Sequence, residues 1–345
     1  MSQSEIRIML GIGVVILSGA ALYFARSVVA PVAFALFIIA LVWPMQETLQ
    51  ARIPKFVAML ITLTITIGAV AVLGYMVLWG FSQAGRWLVT NAARFQALYS
   101  ETATWLEGHG LYSAGTLANS FNASWLLGIF QSAATQLNRI LAFAVVTFIF
   151  VMLGLLEVDI IQRKLASTEG GAIGPRLLAT CDEIAGKLRK YMIVRSVMSG
   201  LTGIAIWAFA ALMGLELAPA WGAIAFALNY IPFVGPLMAT LLPTLFALAQ
   251  FGSWETAAAV FIGMNVIQFF SGSYIEPRVA GKALAISPFV VLFAVFFWSF
   301  LWGISGAFIG VPLAIAALTI LEQSPSSRWA AQLLSGRPAP PDFDK

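Results

Sequence analysis

Cysteine, histidine and charge are all scarce in this chain. One cysteine, Cys181, stands among 345 residues, so an intrachain disulfide is excluded. One histidine, His109, is present, and no Cys/His cluster accompanies it to complete a zinc site, so no metal is assigned. Charged residues make up only 10% of the chain, which excludes an ordinary soluble globule, and the 60% hydrophobic share excludes disorder. The net charge of +4 carries no nucleic-acid signal, because the basic residues lie in loops that flank apolar runs. A phosphate-cradling Gly-x-x-x-x-Gly-Lys-Ser/Thr loop is missing, so ATP is not a built-in fuel. Neither a Gly-x-Ser-x-Gly elbow nor a His-Glu-x-x-His pair occurs, and the deep apolar runs lack acid–base pairs. The chain is therefore not expected to be an enzyme or to carry a cofactor.

What the chain has is apolar length, with a mean hydropathy of +0.91. Its runs are long and continuous, which rules out the short alternating strands of a membrane barrel and leaves an all-α polytopic membrane protein. Six runs suit full spans: Ile6–Phe24, Val28–Met45, Phe56–Trp79, Ile140–Leu156, Ser196–Leu215 and Thr256–Ser271. The first carries Arg7 and mimics a leader peptide. It is long, lacks a following A-x-A site and meets a second run at once, so it is expected to remain as a span.

The stretch Leu215–Glu322 is apolar but twice broken. The first break is Asn229-Tyr230-Ile231-Pro232-Phe233-Val234-Gly235-Pro236, where two prolines remove backbone donors and Gly235 permits a turn. Its flanks, Ala218–Ile231 and Leu237–Ala249, are about 14 residues or roughly 20 Å each, short of a hydrocarbon core of roughly 30 Å. At the second break, Pro288–Leu301 and Ile304–Leu321 flank Trp302-Gly303 and Ser305-Gly306. Both are expected to be re-entrant helical hairpins whose tips face protein or water and converge near the bilayer midplane. Six full spans plus two hairpins give eight or more membrane segments. A faint echo between Ile231-Pro232-Phe233-Val234 and Ser287-Pro288-Phe289-Val290 suggests an inverted repeat.

Between the spans, 81–139 is more polar, with Trp87, Phe95, Leu98, Tyr99, Trp105 and Leu106 at near-helical spacing. It is expected to form amphipathic helices on or outside the membrane, or a lid with its own small core. His109 falls in its Gly-flanked loop. The loop 159–195 holds Arg163, Lys164, Arg176, Lys187, Arg189, Lys190 and Arg195, and Leu177, Cys181, Ile184, Leu188 and Tyr191 give it an apolar stripe. That pattern suits a basic amphipathic helix along the cytoplasmic surface, with Cys181 as a small apolar residue. The positive-inside rule then puts both termini in the cytoplasm and 81–139 outside. The domains are 1–80 with three spans, 81–139 extracytoplasmic, 140–195 with the fourth span and basic helix, 196–322 as the transport region, and a tail at 323–345.

Polar residues within the apolar region are candidates for a solute or ion path. Asn229 and Tyr230 precede the first tip, where Pro232, Gly235 and Pro236 leave carbonyls free to meet a ligand. Gly303, Ser305 and Gly306 do the same at the second. Asn265 and Gln268 share a helix face with Ser271, either as interhelical glue or as path lining. Glu276 and Arg278 flank Pro277, as an ion pair to a neighbour or with Glu276 as a proton carrier; Glu157 is a second candidate carrier.

Three stretches carry a resemblance. They are Ala223 to Pro236, then Ile275-Glu276-Pro277-Arg278-Val279-Ala280-Gly281-Lys282 with Leu284, Ile286, Ser287 and Pro288, and Trp302 to Leu313. With Lys187 to Gly203 they resemble the autoinducer-2 exporter (PerM-like permease) family in register through the C-terminal half; the N-terminal half matches in layout only. The resemblance implies a transporter of the bacterial inner membrane and a homo-oligomer, a pentamer being one arrangement it suggests. It also implies export of a small polar solute like autoinducer-2, or sodium or lithium/proton antiport. From a different class, a membrane scaffold would use 81–139 as its docking surface.

Overall fold

The computed structural model describes residues 3–91, 123–167, 173–280, 286–324 and 326–336. The middle of the 81–139 segment, His109 included, lies outside them. The described elements are helices: α1 (Gln3–Phe24), α2 (Arg26–Gln50), α3 (Lys55–Thr90), α4 (Ala123–Ala166), α5 (Ile173–Leu212), α6 (Ala218–Leu228), α7 (Val234–Phe251) and α8 (Trp254–Phe269). A π-helical segment, Phe270–Ile275, joins α8 to α9 (Glu276–Ala280). Then come α10 (Pro288–Trp302), α11 (Ile304–Gln323) and α12 (Arg328–Leu334). Among the described residues the one extended contact is an isolated antiparallel bridge, Ile286 to Ser335. Among the described residues seven helices are long and apolar enough to cross a membrane, α2, α3, α4, α5, α7, α8 with its extension, and α11, while α1, α6 and α10 add shorter apolar segments. The protein is an all-α polytopic membrane protein.

Two lengths differ from expectation. The basic amphipathic stretch after Pro175 and the fifth span are one helix, α5, of 40 residues. At 1.5 Å per residue it is about 60 Å long, twice a hydrocarbon core. Likewise residues 81–90 extend α3, and 123–139 open α4. The second correction concerns the hairpins: α6 has 11 residues but α7 has 18, and α10 has 15 against 20 in α11. Each hairpin thus pairs a short limb with one long enough to span.

The chain divides into two compact units, each assembled from separate segments: 1–68, 142–193 and 280–345 in the first, 69–141 and 194–279 in the second. The α6/α7 hairpin belongs to the second unit and the α10/α11 hairpin to the first.

In the first unit Ile39 and Ala35 of α2, Met59 of α3, and Val151 and Leu155 of α4 form a buried cluster. Phe34 packs its ring on Phe143 and Phe308. The first half of α5 is tied in by its cations. Lys187 Nζ reaches Glu322 at 2.9 Å and Glu183 at 2.8 Å, and Arg189 donates to the Ala40 carbonyl at 2.9 Å. These basic groups are therefore internal ties rather than a free surface. In the second unit Ile206 and Ala210 of α5 pack with Trp221 and Ile224 of α6, Phe246 of α7, and Val260 and Met264 of α8.

The two hairpins turn by the same device. One residue takes a left-handed backbone, Phe233 at φ 63° and Gly303 at φ 66°. A glycine then follows in the first turn of the second limb, pressed on the end of the first limb. A Cβ on Gly235 would lie 1.9 Å from the Leu228 carbonyl oxygen, and one on Gly306 would lie 1.7 Å from that of Trp298. The sequence echo does not mark this likeness, because Pro232 sits in a turn whereas Pro288 opens α10.

Backbone atoms cannot yield as side chains do. Gly235→Ala and Gly306→Ala are each expected to destabilise the protein by about 1–3 kcal/mol. Gly200→Ala, where nothing stands within 4 Å of an added Cβ, is expected to be neutral or to stabilise by about 0.5–1 kcal/mol. Thermal unfolding of the detergent-purified variants checks both signs.

Candidate functional site

The second unit concentrates its polar side chains along the start of its α5 segment. Arg195, Ser199 and Thr202 recur at i, i+4 and i+7, so they share one face, and all three are buried. One turn further the same face becomes apolar at Ile206. In hydrocarbon surroundings such groups must find partners inside the protein, and two neighbouring elements supply them.

The first is α6. Gly203 of α5 and Gly222 of α6 meet backbone to backbone, each lacking the Cβ that would fall within 3 Å of the other's carbonyl oxygen. Small residues at a crossing let two helices approach closely. Because they run antiparallel, the two turns after Gly222 descend beside the two turns before Gly203. The end of α6 therefore lies level with Ser199 and Ser196. There Asn229 Nδ2 donates to Ser199 Oγ at 3.3 Å, and Tyr230 Oη donates to Ser196 Oγ at 2.9 Å. Asn229 and Tyr230 are both buried; Ser196 stands at the exposed edge.

The second is α8 with its π-helical extension. Gly263 admits the Phe209 ring of α5, where an added Cβ would fall 2.1 Å from its edge. Two turns on, Ser271 and Thr202 share a hydrogen bond between their hydroxyls. At the far end Arg195 Nη1 donates to both Glu276 carboxylate oxygens, at 2.9 and 3.1 Å. Ser271 and Glu276 are five residues apart, which in an α-helix points them about 140° away from each other. The wide turn, closed by the Glu276 N–H on the Ser271 carbonyl, brings them toward one face. Without that turn the two contacts with α5 would compete.

The result is a column of four side-chain pairs: Arg195–Glu276, Ser196–Tyr230, Ser199–Asn229 and Thr202–Ser271. Its hydroxyls can donate or accept, and its only charges neutralise each other. Spare capacity remains, since the buried Arg195 Nε and Gln268 Nε2 have no hydrogen-bond partner among the described residues.

The sequence candidates divide against this geometry. Asn229, Tyr230 and Glu276 are in the column. Gln268 lies half-buried one turn from Ser271, whereas Asn265 is exposed and its amide donates to its own helix at the Phe261 carbonyl, 2.8 Å away. Pro232 and Gly235 are buried in the first tip and Pro236 is half-buried. Pro232, Phe233 and Val234 form a γ-turn of the rarer hand, closed by Val234 N–H on the Pro232 carbonyl at 2.7 Å. Arg278 does not pair with Glu276; its guanidinium lies 3.7 Å from the centre of the Tyr274 ring. Gly303 is exposed, Ser305 half-buried and Gly306 buried, all in the first unit. Glu157 is exposed, and the engaged acid at that end of α4 is Asp159. Ser196, Ser199 and Thr202 were not among the sequence candidates, although their spacing after Arg195 was there to be read.

Comparison with known proteins places this chain in a family. The profile of the AI-2E family transporters matches residues 12–326. The AI-2 transport protein TqsA of Escherichia coli K12 is 29% identical over 333 residues, covering 96% of this chain and 95% of the relative. A proposed transport protein of Haemophilus influenzae Rd is 24% identical over 340 residues, 95% of this chain and 96% of its own. Another, from Borreliella burgdorferi B31, is 32% identical over 189 residues, 54% of this chain and 52% of its own. The match extends well into the N-terminal half, beyond the stretches whose motifs are legible by eye. With residues 12–326 matched and seven helices suited to crossing a membrane, this multi-pass protein belongs to the AI-2E transporter family.

Proposed function

We propose that this protein is a secondary transporter that exports a small polar solute, chemically like autoinducer-2, along the polar column of α5. The column itself is the observation that carries the reading. Four polar pairs stacked in an apolar helical surrounding are costly to build for packing alone, because apolar pairs of the same shape would serve. They suit a solute rich in hydroxyls, which exchanges one hydrogen bond for another as side-chain pairs open, at little net cost. Asn229 and Tyr230 lie where the α6/α7 tip meets α5, so any movement of the tip reaches them directly. Pro232, Gly235 and Pro236 shape that tip, and Gln268 adds a donor from α8. Asn265, and Gly303, Ser305 and Gly306 of the other hairpin, stay in the proposal as further contacts, each in its own unit. The name of the Escherichia coli relative, an AI-2 transport protein, supports the choice of solute.

Loss of one solute hydrogen bond corresponds to roughly tenfold in affinity or rate. Asn229→Ala and Ser199→Ala are each expected to slow efflux of autoinducer-2 from loaded proteoliposomes about tenfold, in protein that still shows a cooperative thermal transition at a somewhat lower temperature. Unchanged efflux in both variants would remove the column from the mechanism.

A second reading, sodium or lithium/proton antiport, is favoured by the Arg195–Glu276 pair, where a titratable carboxylate is held at the end of the column. Proteoliposomes holding a pH-sensitive dye separate the two readings under an imposed sodium gradient. Antiport requires sodium-dependent proton movement that Glu276→Gln abolishes; no such movement by the intact protein excludes it.

A further inference from the structure

The short helix α12 sits at the base of the α10/α11 hairpin, all within the first unit, and its place follows from the unequal limbs. Gly306 of α11 presses on the Trp298 carbonyl of α10, and Gly310 presses on that of Ala294. The limbs therefore run antiparallel, residue for residue. Continued to the base, that register sets Pro288, where α10 begins, level with Ala316. Beyond this level α11 goes on without α10 through the seven residues Ala317–Gln323, about 10 Å of helix. α12 is also seven residues and about 10 Å long.

Both ends of α12 are fastened where such a fit requires. At its N-terminal end Ser327 Oγ donates to the Leu321 carbonyl at 3.0 Å and Arg328 Nε to that of Glu322 at 3.3 Å. These are acceptors that the last turn of α11 leaves open. At its C-terminal end the Ser287 N–H donates to the Leu334 carbonyl at 3.3 Å, and Ser335 bridges Ile286, just ahead of α10. α12 thus stands on the start of α10, beside the last two turns of α11. A helix of two turns is not stable alone, so these ties and its packing hold it there. Ala331, 1% exposed, is its packed side chain. Trp329 and Leu333 flank Ala331 at two residues on either side, which turns both about 160° away from it. They are 67% and 75% exposed.

The depth of α12 decides what covers that exposed pair. α11 has 20 residues, about 30 Å of helix and a full hydrocarbon core, and its polar end, Glu322 and Gln323, marks the edge of the water. Arg328 is tied to Glu322, so Trp329 stands at this edge, where indole rings are favoured, and Leu333 lies one turn deeper. Exposed apolar surface continues along α10 at Phe289 and Phe293. We propose that α12 is embedded in the bilayer as the missing first turns of the short limb, with Trp329 and Leu333 facing lipid at the boundary of headgroups and acyl chains. α10 and α12 together reach the depth that the 15 residues of α10 cannot. The stretch expected from sequence to begin a tail then belongs to the spanning bundle.

Spin labels on single cysteines read this depth. In a Cys181→Ser background, full-length protein carrying Leu333→Cys, Trp329→Cys or, in the link before α12, Ser326→Cys is labelled with a nitroxide and placed in phosphatidylcholine/phosphatidylglycerol nanodiscs. Collisions with oxygen, which concentrates among acyl chains, are compared with collisions with a water-soluble nickel chelate. The oxygen-to-nickel ratio is expected to be several-fold higher at 333 than at 326, with 329 between them. Equal ratios at all three positions would put α12 in water and overturn the proposal. Protection of 333 from both reagents would overturn it in favour of a second copy of the chain covering this face. The three side chains are exposed, so the label displaces no packed group, and a cooperative thermal transition checks that each labelled protein is folded. The readout is position alone, so failure of the column as a solute path leaves its outcome unaffected.

Discussion

Hydrocarbon offers no hydrogen bonds, and that one fact orders this molecule. A polar side chain among the spans is costly unless another group of the chain, its own backbone or a ligand answers it. Asn265 takes the second course and Asn229 the first. Contacts of the first kind join elements far apart in sequence: Lys55 to Asp159, Lys187 to Glu322, Arg195 to Glu276. In a soluble protein such pairs would contribute little at the surface. Here they join helices distant in sequence, and Arg195 is enclosed enough that opening its pair would leave a buried charge unanswered.

Close packing makes the joints possible. Gly203 and Gly222 bring two backbones together, and only then do the short side chains of Ser199 and Asn229 reach each other. Gly263 plays the same part for α8, and the π-helical turn corrects the phase so that Ser271 and Glu276 both face α5. Glycine placement and helix phase thus decide which polar groups meet.

The fold class and spans were largely legible, because apolar runs of this length have few alternatives. The positions of both hairpin turns were also legible from Pro and Gly. Limb lengths were not. Counting α7 from Leu237 discarded Val234, Gly235 and Pro236, although proline is tolerated in a first helical turn whose N–H groups are free anyway. The continuity of α5 was hidden by a change of character at Arg195, from a basic stripe to an apolar run; hydropathy registers composition, and backbone helicity persists across it. The column was half legible. Asn229, Tyr230 and Glu276 stand out in apolar sequence, whereas serine and threonine hydroxyls are small, tolerated in spans, and often satisfied by their own helix, as Thr66 is by Thr62. Only the spacing of Ser199 and Thr202 from Arg195 distinguishes a shared face from scattered hydroxyls.

The γ-turn at Phe233 has one more consequence. A bulky side chain at φ 63° and ψ −53° occupies a conformation that isolated peptides avoid, and its ring is half exposed, so packing on the ring does little to hold it. What keeps it there is the chain on either side, Gly235 wedged on Leu228 and Asn229 fastened to Ser199. A bend held from its two ends behaves like a cocked spring: release either anchor, and the relaxation of Phe233 itself pushes the loop toward a new shape without any outside source of energy.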